Sequence, residues 1–338
     1  MEEKLIAMCD SIVEDRKVLK KKMLWEADSD ATAIMSAFLY ASAGKRADVE
    51  QYVKCKKLLK KNASIFSEFR GIAFTLVTTR MALSDDPEKY VQGSLQVYKK
   101  LRSLHKLTAS PYMVMAALNI YEKAGLEGSD EYIEKLETLY KKLKSEHPML
   151  IWDQDRAYLS MLVTSGLNVD RLTEETEVCY EAVKKVYFDR DAVHSLAQVL
   201  ALNPQSPESK AEMVKELIAG FKKAKVKVSK QFGLTAVGAL TMLDLPLEDI
   251  VSKTAEVDEY LRHQKGFSCW RVSPKIRHMY SQLIVAMNYL PQTGVLSGSV
   301  AAQTITLVLI EEIIMLIIVY SCVHTTTHSA SSSSSGSN

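Results

Sequence analysis

The stretch of sequence that decides the fold is Tyr98-Lys99-Lys100-Leu101, which returns 42 residues later as Tyr140-Lys141-Lys142-Leu143. Four related segments continue the series: Cys55-Lys56-Lys57-Leu58, Tyr180-Glu181-Ala182-Val183, Phe221-Lys222-Lys223-Ala224 and Tyr260-Leu261-Arg262-His263. Successive segments are separated by 43, 42, 40, 41 and 39 residues. A self-similarity near 40 residues is typical of proteins built from repeated helical hairpins.

Each repeat has two helical halves. About 20 residues before each segment lies a stretch rich in Ala, Leu and Met, at residues 36–43, 78–83, 116–121, 160–164, 197–202 and 238–243. Between the halves, Asp86-Pro87-Glu88 and Ser206-Pro207-Glu208 combine a capping side chain, a proline at the first helical position and an acid, which marks a helix start. We therefore expect an apolar first helix, a turn and an amphipathic second helix in every unit.

The hairpins are expected to pack on one another. A single hairpin cannot cover its own apolar face, so consecutive units must stack. The sequence thus predicts an all-α fold, an α-solenoid of about seven antiparallel helical hairpins with a period near 40 residues. We expect a superhelix of the HEAT or tetratricopeptide type. The repeated Tyr, Phe and Cys positions are interpreted as core packing between hairpins.

The repeat divides the chain into five segments. An N-terminal helix or cap covers residues 1–29, and six helical hairpins cover residues 30–271. A degenerate seventh unit follows at 272–295. An apolar C-terminal helix is predicted at 296–324, and a Ser-rich disordered tail at 325–338.

The apolar C-terminal helix leaves two interpretations open. Residues 300–323 are long enough to cross a bilayer, but Glu311 and Glu312 lie at their centre. The free energy that the Ile, Leu and Val residues gain on membrane insertion is nearly equal to the cost of inserting two carboxylates. Hydropathy therefore does not decide whether this segment crosses a membrane. One interpretation is self-association or docking on the array through residues 300–323. The alternative is a tail anchor that brings the protein into contact with a membrane.

Composition narrows the classes of function. The 43 basic and 41 acidic residues give a formal charge of +2, which is too balanced to predict a nucleic acid partner. Five cysteines without a Cys-x-x-Cys pair argue against a disulfide framework and a zinc ribbon. No basic segment followed by an apolar stretch opens the chain, so a secretory signal is not expected. We predict a cytoplasmic protein, with membrane association as the alternative.

The second helices of the repeats share a charge layout. Acids gather at their N-terminal ends and bases at their C-terminal ends, which complements the helix dipole. In a stack of parallel helices the bases would form a basic edge, represented by Lys99, Lys100, Lys141, Lys142, Lys222 and Lys223. The structural interpretation of this layout is helix stabilisation, and the functional one is that the basic edge binds an anionic partner.

Two segments break the repeat and combine aromatic side chains with a cation, a pattern that suits ligand or peptide docking. The first contains Phe69 and Arg70, and the second covers residues 264–271. The binding candidates in them are Phe69, Arg70, Lys265, Phe267, Trp270 and Arg271. An alternative for the second segment is that Phe267 and Trp270 cap the end of the array.

His194 is the remaining candidate residue. It lies three residues after Asp191 on a predicted first helix, where it can face the groove between units. This position supports the alternative of an enzyme with a groove site near His194 and Arg70. No phosphate-loop, dinucleotide-binding, nucleophile-elbow or zinc-protease string occurs, so no catalytic residue, cofactor or metal is predicted and a noncatalytic protein is favoured.

Four blocks of the sequence resemble a known family. They are Tyr40-Ala41-Ser42-Ala43-Gly44-Lys45, Phe69-Arg70-Gly71, Ala192-Val193-His194-Ser195-Leu196-Ala197-Gln198-Val199-Leu200-Ala201-Leu202 and Gln264-Lys265-Gly266-Phe267-Ser268-Cys269-Trp270. Over residues 1–320 the chain is similar to an uncharacterised family from Gram-positive bacteria, domain of unknown function number four thousand and three. The resemblance implies a cytosolic bacterial protein without an assigned activity, so it supplies no catalytic residues.

These observations predict an uncharacterised bacterial protein that acts as a noncatalytic helical-repeat scaffold. We expect its groove or basic edge to bind a protein, a peptide or another anionic partner. A tail-anchored, membrane-associated adaptor and an enzyme with a groove site remain as alternatives.

Overall fold

The fold is all-α, as predicted. A computed structural model describes residues 1–23, 29–104, 110–185, 190–228, 233–268 and 272–290, and within these ranges it contains 14 α-helices and no β-strand. The α-helices are α1 (Glu3–Lys20), α2 (Ser29–Ser42), α3 (Val49–Asn62), α4 (Phe74–Leu83), α5 (Pro87–Leu104), α6 (Pro111–Ala124), α7 (Ser129–Glu146), α8 (Arg156–Thr164), α9 (Val169–Val183), α10 (Arg190–Leu200), α11 (Pro207–Lys223), α12 (Leu234–Leu240), α13 (Leu247–Arg262) and α14 (Pro274–Tyr289). Two short 3₁₀ helices, Glu68–Arg70 and Asp153–Asp155, precede α4 and α8.

Several helices begin at the capping patterns of the sequence. Asp86 accepts hydrogen bonds from the backbone N–H groups of Glu88 and Lys89 at the start of α5. Ser206 caps α11 in the same way, through the N–H of Ser209. Proline occupies the first position of both helices, where it has no helical hydrogen bond to lose.

The helices form two layers that differ in burial. The even-numbered helices are the more enclosed, and every residue of α8 and of α12 is buried. The odd-numbered helices bury one face only, which in α3 consists of Tyr52, Cys55 and Leu59. The even-numbered helices therefore form an inner layer and the odd-numbered helices an outer one. Of the repeated positions, Cys55, Tyr98, Tyr180 and Phe221 are buried, and Tyr140 and Tyr260 are half-buried.

Polar side chains join successive inner helices. Asn119 of α6 accepts a hydrogen bond from Arg80 of α4 at 3.0 Å and donates one to Ser160 of α8 at 2.8 Å, and these pairs are 39 and 41 residues apart in sequence. Asn203 after α10 donates to the carbonyl of Thr241 after α12, a separation of 38 residues. Neighbouring inner helices are thus bonded through residues about 40 positions apart in sequence.

The first and last helices are in contact. Glu2, just before α1, accepts hydrogen bonds from Lys253 of α13 and Tyr289 of α14. Asp10 of α1 accepts one from Tyr260 of α13. A superhelix of the type expected from the sequence keeps its two ends apart, so that expectation is corrected here. The described helices close on themselves in a ring.

Helix α1 packs on the outside of the last described helix, α14. α14 lies in the segment that the sequence predicts as a seventh unit, and α1 packs against it with Leu5, Cys9 and Ile12 fully buried. Burial raises the pKa of the Cys9 thiol to about 12, which keeps this thiol protonated and unreactive. The N-terminal segment that the sequence predicts as a cap therefore closes the ring.

The predicted C-terminal helix at 296–324 and the tail at 325–338 lie outside the described residues. Within the described ranges, no helix combines the length and the apolar character that crossing a bilayer requires. The interpretation of residues 300–323 therefore stays a prediction from the sequence.

An ion pair joins α13 to α14 near the closure. Arg277 Nε donates to Asp258 Oδ1 at 2.8 Å, and His278 Nε2 lies 3.0 Å from Asp258 Oδ2. Burial alone would raise the pKa of Asp258, but the hydrogen bonds from His278 and Arg277 outweigh it and hold this pKa below its ordinary value. The negative charge of Asp258 therefore stabilises the folded state.

We expect Asp258→Asn to lower the free energy of unfolding by about 1.5–3 kcal/mol at neutral pH, the usual worth of a hydrogen bond to a charged group. Because the carboxyl has a lower pKa folded than unfolded, its stabilisation is complete above the unfolded pKa of about 4 and is lost as the pH falls through the folded pKa. Denaturant unfolding of both proteins, followed from neutral to acidic pH, tests this. A difference between them that does not shrink in acid contradicts the prediction.

Candidate functional site

The outer helices run in the same direction, so their ends gather at the two ends of the ring. Glu2 and Asp10 contact Lys253 and Tyr260 in the same order along α1 and α13, which makes these two helices parallel. We name the end where odd-numbered helices finish the basic end. The opposite end, where they begin, is named the acidic end.

Charge separates along the individual outer helices. The last turns of the outer helices carry Lys17, Lys20, Lys60, Lys61, Arg102, Lys144, Lys222, Lys223 and Arg262, which define the basic end. The first turns carry Glu3, Glu50, Glu88, Asp130, Glu131, Asp170, Glu208, Glu248 and Asp249, which define the acidic end. The inner helices begin at the basic end, so the positive ends of their dipoles add to its potential.

The six lysines of the predicted basic edge differ in their surroundings. Lys99, Lys141, Lys222 and Lys223 are exposed. Lys100 Nζ lies 2.8 Å from Asp130 Oδ1 of the next outer helix, and Lys142 pairs with Asp170 in the same way. These two contacts arise because neighbouring outer helices are staggered, so the end of one reaches the start of the next. Acidic side chains of the following helix thus neutralise part of the positive charge predicted for the basic edge.

Large apolar side chains protrude at the basic end. Ile65 and Phe66, in the loop after α3, are 67% and 90% exposed. Met149 and Trp152, in the loop after α7, are 78% and 51% exposed, and Leu104 at the end of α5 is 56% exposed. Several exposed apolar residues at one end of a molecule are more informative than scattered ones, because exposed apolar surface marks interaction sites.

The aromatic ring of the first predicted docking segment faces inward. Phe69 is fully buried and packs edge-on against Tyr98, with ring centroids 5.3 Å apart. Arg70 is half-buried and its Nη1 lies 3.5 Å from the carbonyl of Ala63. A fully buried ring cannot contact a partner, so the docking role expected for Phe69 is corrected to core packing.

The second docking segment lies on the closure of the ring. Phe267 is fully buried, 6.2 Å from the ring of Tyr280, and the guanidinium of Arg16 lies 5.8 Å from its centroid. The carbonyl of Lys265 accepts a hydrogen bond from Arg16 Nη1 at 3.1 Å, while the Lys265 side chain is exposed. Phe267 therefore contributes to packing where the ring closes, and its buried ring is not accessible to a partner. Trp270 and Arg271 lie outside the described residues.

His194 is buried in a cluster of polar and aromatic side chains. Its Nδ1 lies 2.8 Å from Gln198 Nε2, and its Nε2 has no hydrogen-bond partner within the described part of the chain. Its ring centroid is 6.2 Å from that of His147 and 5.9 Å from that of Tyr180. The contacts of Arg70 are elsewhere, so the structure does not bring His194 and Arg70 together.

His147 joins this cluster to a cavity of about 680 Å³ near the basic end. His147 Nε2 lies 2.7 Å from Glu177 Oε2. The cavity wall includes His147, Tyr180, Lys185 and Arg190 together with Met149 and other apolar residues. No group of three or more His, Cys, Asp or Glu side chains among the described residues is arranged to hold a metal ion.

A larger cavity of about 1230 Å³ lies at the acidic end, where the inner helices α2, α4, α6 and α8 finish. Arg80 contacts Glu122 at 3.4 Å there, and Tyr90 donates a hydrogen bond to the same carboxylate. Burial, followed by the nearby Glu122 charge, raises the pKa of Tyr90 well above its ordinary value. The cavity also borders Asp86 and Glu127, so its surroundings disfavour anions.

Sequence reasoning did not single out Ile65, Leu104, Met149, Trp152 or His147. The first four lie at the end of an amphipathic helix or in the loop after it. An apolar residue there, outside the predicted buried face, is a sequence signal for an exposed apolar side chain. His147 offers no such signal, because its partner Glu177 is 30 residues away on another helix.

The chain was compared with protein families, curated proteins and solved structures. A family model described as a protein of unknown function (DUF4003) matches residues 17–314. No curated protein and no solved structure matches the chain.

Proposed function

The chain belongs to the DUF4003 family, which is described only as of unknown function, and from the geometry of the basic end we propose that it is a noncatalytic helical scaffold that binds an anionic partner there. The observation that carries the proposal is the collection of lysines and arginines from the last turns of the outer helices at one end of the ring. Such a surface attracts anions over distances of about a Debye length.

We further propose that the scaffold is a repeat of helical hairpins. Support comes from the inner helices, whose bonded residues are 38, 39 and 41 positions apart. These separations match the spacing of the recurring sequence segments. Repetition explains the segregated charge, because each outer helix contributes an acid in its first turn and each of them except α9 contributes a base in its last turn.

The location and the C-terminal segment belong to the same proposal. A cytoplasmic protein of bacterial origin fits the reduced cysteines, of which Cys9, Cys55 and Cys179 are buried. Fractionating cells that express the chain with and without residues 296–338 separates membrane attachment from docking or self-association through residues 300–323, because a full-length protein found only in the soluble fraction rules out the anchor.

A second candidate is an enzyme that uses the cavity beside His147. The observation that favours it is the 2.7 Å contact of His147 Nε2 with Glu177 Oε2 at the cavity wall, because an imidazole oriented by a carboxylate is a common general base. His194 belongs to this cluster, whereas Arg70 does not. An activity abolished by His147→Ala, with anion binding unchanged, would favour this candidate.

The scaffold proposal predicts the effect of reversing charge at the basic end. Heparin is a suitable soluble polyanion probe. We expect a variant with Lys60→Glu, Lys61→Glu, Lys222→Glu and Lys223→Glu to bind heparin at least about tenfold more weakly than wild type, and the loss to shrink at high salt. The measurement is a binding titration at two salt concentrations.

The matched control carries the same change of net charge elsewhere on the ring. It combines Lys4→Glu, Lys89→Glu, Lys123→Glu and Lys215→Glu, all at exposed positions. If both variants lose affinity equally, net charge and not the basic end governs binding. If neither loses affinity, the proposed function is wrong.

A further inference from the structure

The exposed apolar residues of the ring are unevenly distributed. Among the described residues, the large apolar side chains with the greatest exposure are Ile65, Phe66, Leu104, Met149 and Trp152, and all of them lie at the basic end. The other large apolar residues exposed in the described ranges are Val18 of α1 and Val178 of α9, at 38% and 40%. One end of the molecule thus combines cations with protruding apolar side chains.

Cations lie near the protruding residues that follow α3 and α7. Phe66 and Ile65 follow Lys60 and Lys61 at the end of α3. At the end of α7, the ammonium of Lys144 lies 5.0 Å from the centre of the Trp152 ring in the loop that follows. Aromatic and aliphatic side chains flanked by lysines are typical of the headgroup region of a bilayer, where the apolar part is buried and the charge meets lipid phosphates.

The spacing of these residues favours a flat partner. They come from the ends of α3, α5 and α7, which are successive outer helices. Phe69 packs on Tyr98, and this contact connects the loop after α3 to α5. A protein partner would need a separate pocket shaped to receive each of these side chains. Separate apolar tips on separate loops instead suit a surface into which each tip enters on its own.

We infer that the basic end binds the surface of an anionic lipid bilayer, with Phe66 and Met149 entering the headgroup region and the surrounding lysines contacting lipid phosphates. This inference rests on the proposed function, since it names the anionic partner of the same surface. It concerns the ring itself and does not depend on residues 300–323.

The test uses the full chain and vesicles of two compositions. One is phosphatidylcholine alone, and the other is three parts phosphatidylcholine to one part phosphatidylglycerol. We expect wild type to float with the anionic vesicles only, and to be released by high salt. The variant Phe66→Ser with Met149→Ser should lose about tenfold or more of this binding, because lysines attract the protein but apolar insertion holds it. Its heparin affinity should be unchanged.

The control is Val178→Ser, which removes an exposed apolar side chain from the outer wall. It should bind anionic vesicles as wild type does. Since Phe66 and Met149 are among the most exposed residues, the serine variant should also retain the helical circular dichroism and the unfolding midpoint of wild type.

The outcomes separate this inference from the proposed function. Wild type that binds heparin but not anionic vesicles overturns the lipid inference and leaves an acidic protein or a nucleic acid as the partner. A serine variant that floats as well as wild type also overturns it, because binding then arises elsewhere in the chain. A charge-reversed variant that retains heparin binding removes the proposed function itself.

Discussion

Arg156→Ala is expected to lower the free energy of unfolding by about 3–5 kcal/mol, the usual cost of removing one partner from a buried ion pair. Arg156 is 1% exposed at the start of α8. Its Nε donates to Glu137 Oε1 at 3.1 Å, its Nη1 pairs with Asp153, and its guanidinium lies 3.8 Å from the centre of the Tyr140 ring. The substitution leaves the carboxylate of Glu137 in the core without its cation.

The size of this effect follows from desolvation rather than from the attraction itself. A buried carboxylate that loses its cation still carries the cost of desolvation but has lost the attraction that offset it. The double substitution Arg156→Met with Glu137→Leu removes both charges, so it should cost much less than Arg156→Ala. Denaturant unfolding of the three proteins measures the difference.

The matched control for Arg156→Ala is Lys135→Ala. Lys135 forms an exposed pair with Glu131 one helical turn away, and such pairs contribute about 0.3–0.5 kcal/mol. If Arg156→Ala costs no more than this control, water reaches Glu137 and the pair is not a buried one.

The helices and their starts could be predicted because their signals are local. Asp86, which caps α5, directly precedes the proline at its first position, and the apolar positions of the helix recur at helical spacing. Burial of the repeated positions Cys55 and Phe221 follows from the same periodicity. Local sequence therefore fixed the type of element and the all-α class.

Closure of the ring could not be predicted in this way. Glu2 and Lys253 meet across 251 residues, and Arg16 meets the carbonyl of Lys265 across 249. Each of these residues alone resembles an ordinary surface charge. No local pattern shows whether α1 packs against α13 and α14 or only caps the start of the array. The sequence alone therefore predicted an array whose two ends are apart.

The candidate site was predictable in part for the same reason. The charge layout of single helices is a local property, so the basic end could be expected, but the pairing of Lys100 with Asp130 depends on the stagger between helices. Phe267 and Phe66 are both aromatic residues near cations in sequence, yet one is fully buried and the other is 90% exposed. Tertiary packing decides which of them can meet a partner.

Gly266→Ala should be among the most destabilising single substitutions, because it acts on the closure of the ring. Gly266 has a φ of +102°, and a Cβ placed there would lie 2.0 Å from Cζ of Arg16. The side chain of Arg16 is only 7% exposed, and it pairs with Asp30 and bonds the carbonyl of Lys265. Alanine must therefore adopt a left-handed backbone and displace a buried guanidinium from its partners.

We expect Gly266→Ala to lower the free energy of unfolding by about 3 kcal/mol or more, since the backbone strain of about 1–2 kcal/mol adds to the loss of a buried ion pair. The damage should be concentrated where α1 meets α13 and α14. Amide hydrogen exchange is therefore expected to accelerate in α1 and α14 before it accelerates in helices on the far side of the ring, such as α6 and α8.

The matched control is Gly166→Ala, which separates strain from closure. Gly166 has a similar φ of +89°, but a Cβ there would meet no atom within 4 Å. Its cost should be limited to the backbone strain of about 1–2 kcal/mol, and exchange in α1 should stay as in wild type. Equal losses of stability in the two variants would mean that Arg16 moves aside without penalty, and that its contacts do not hold the two ends of the chain together.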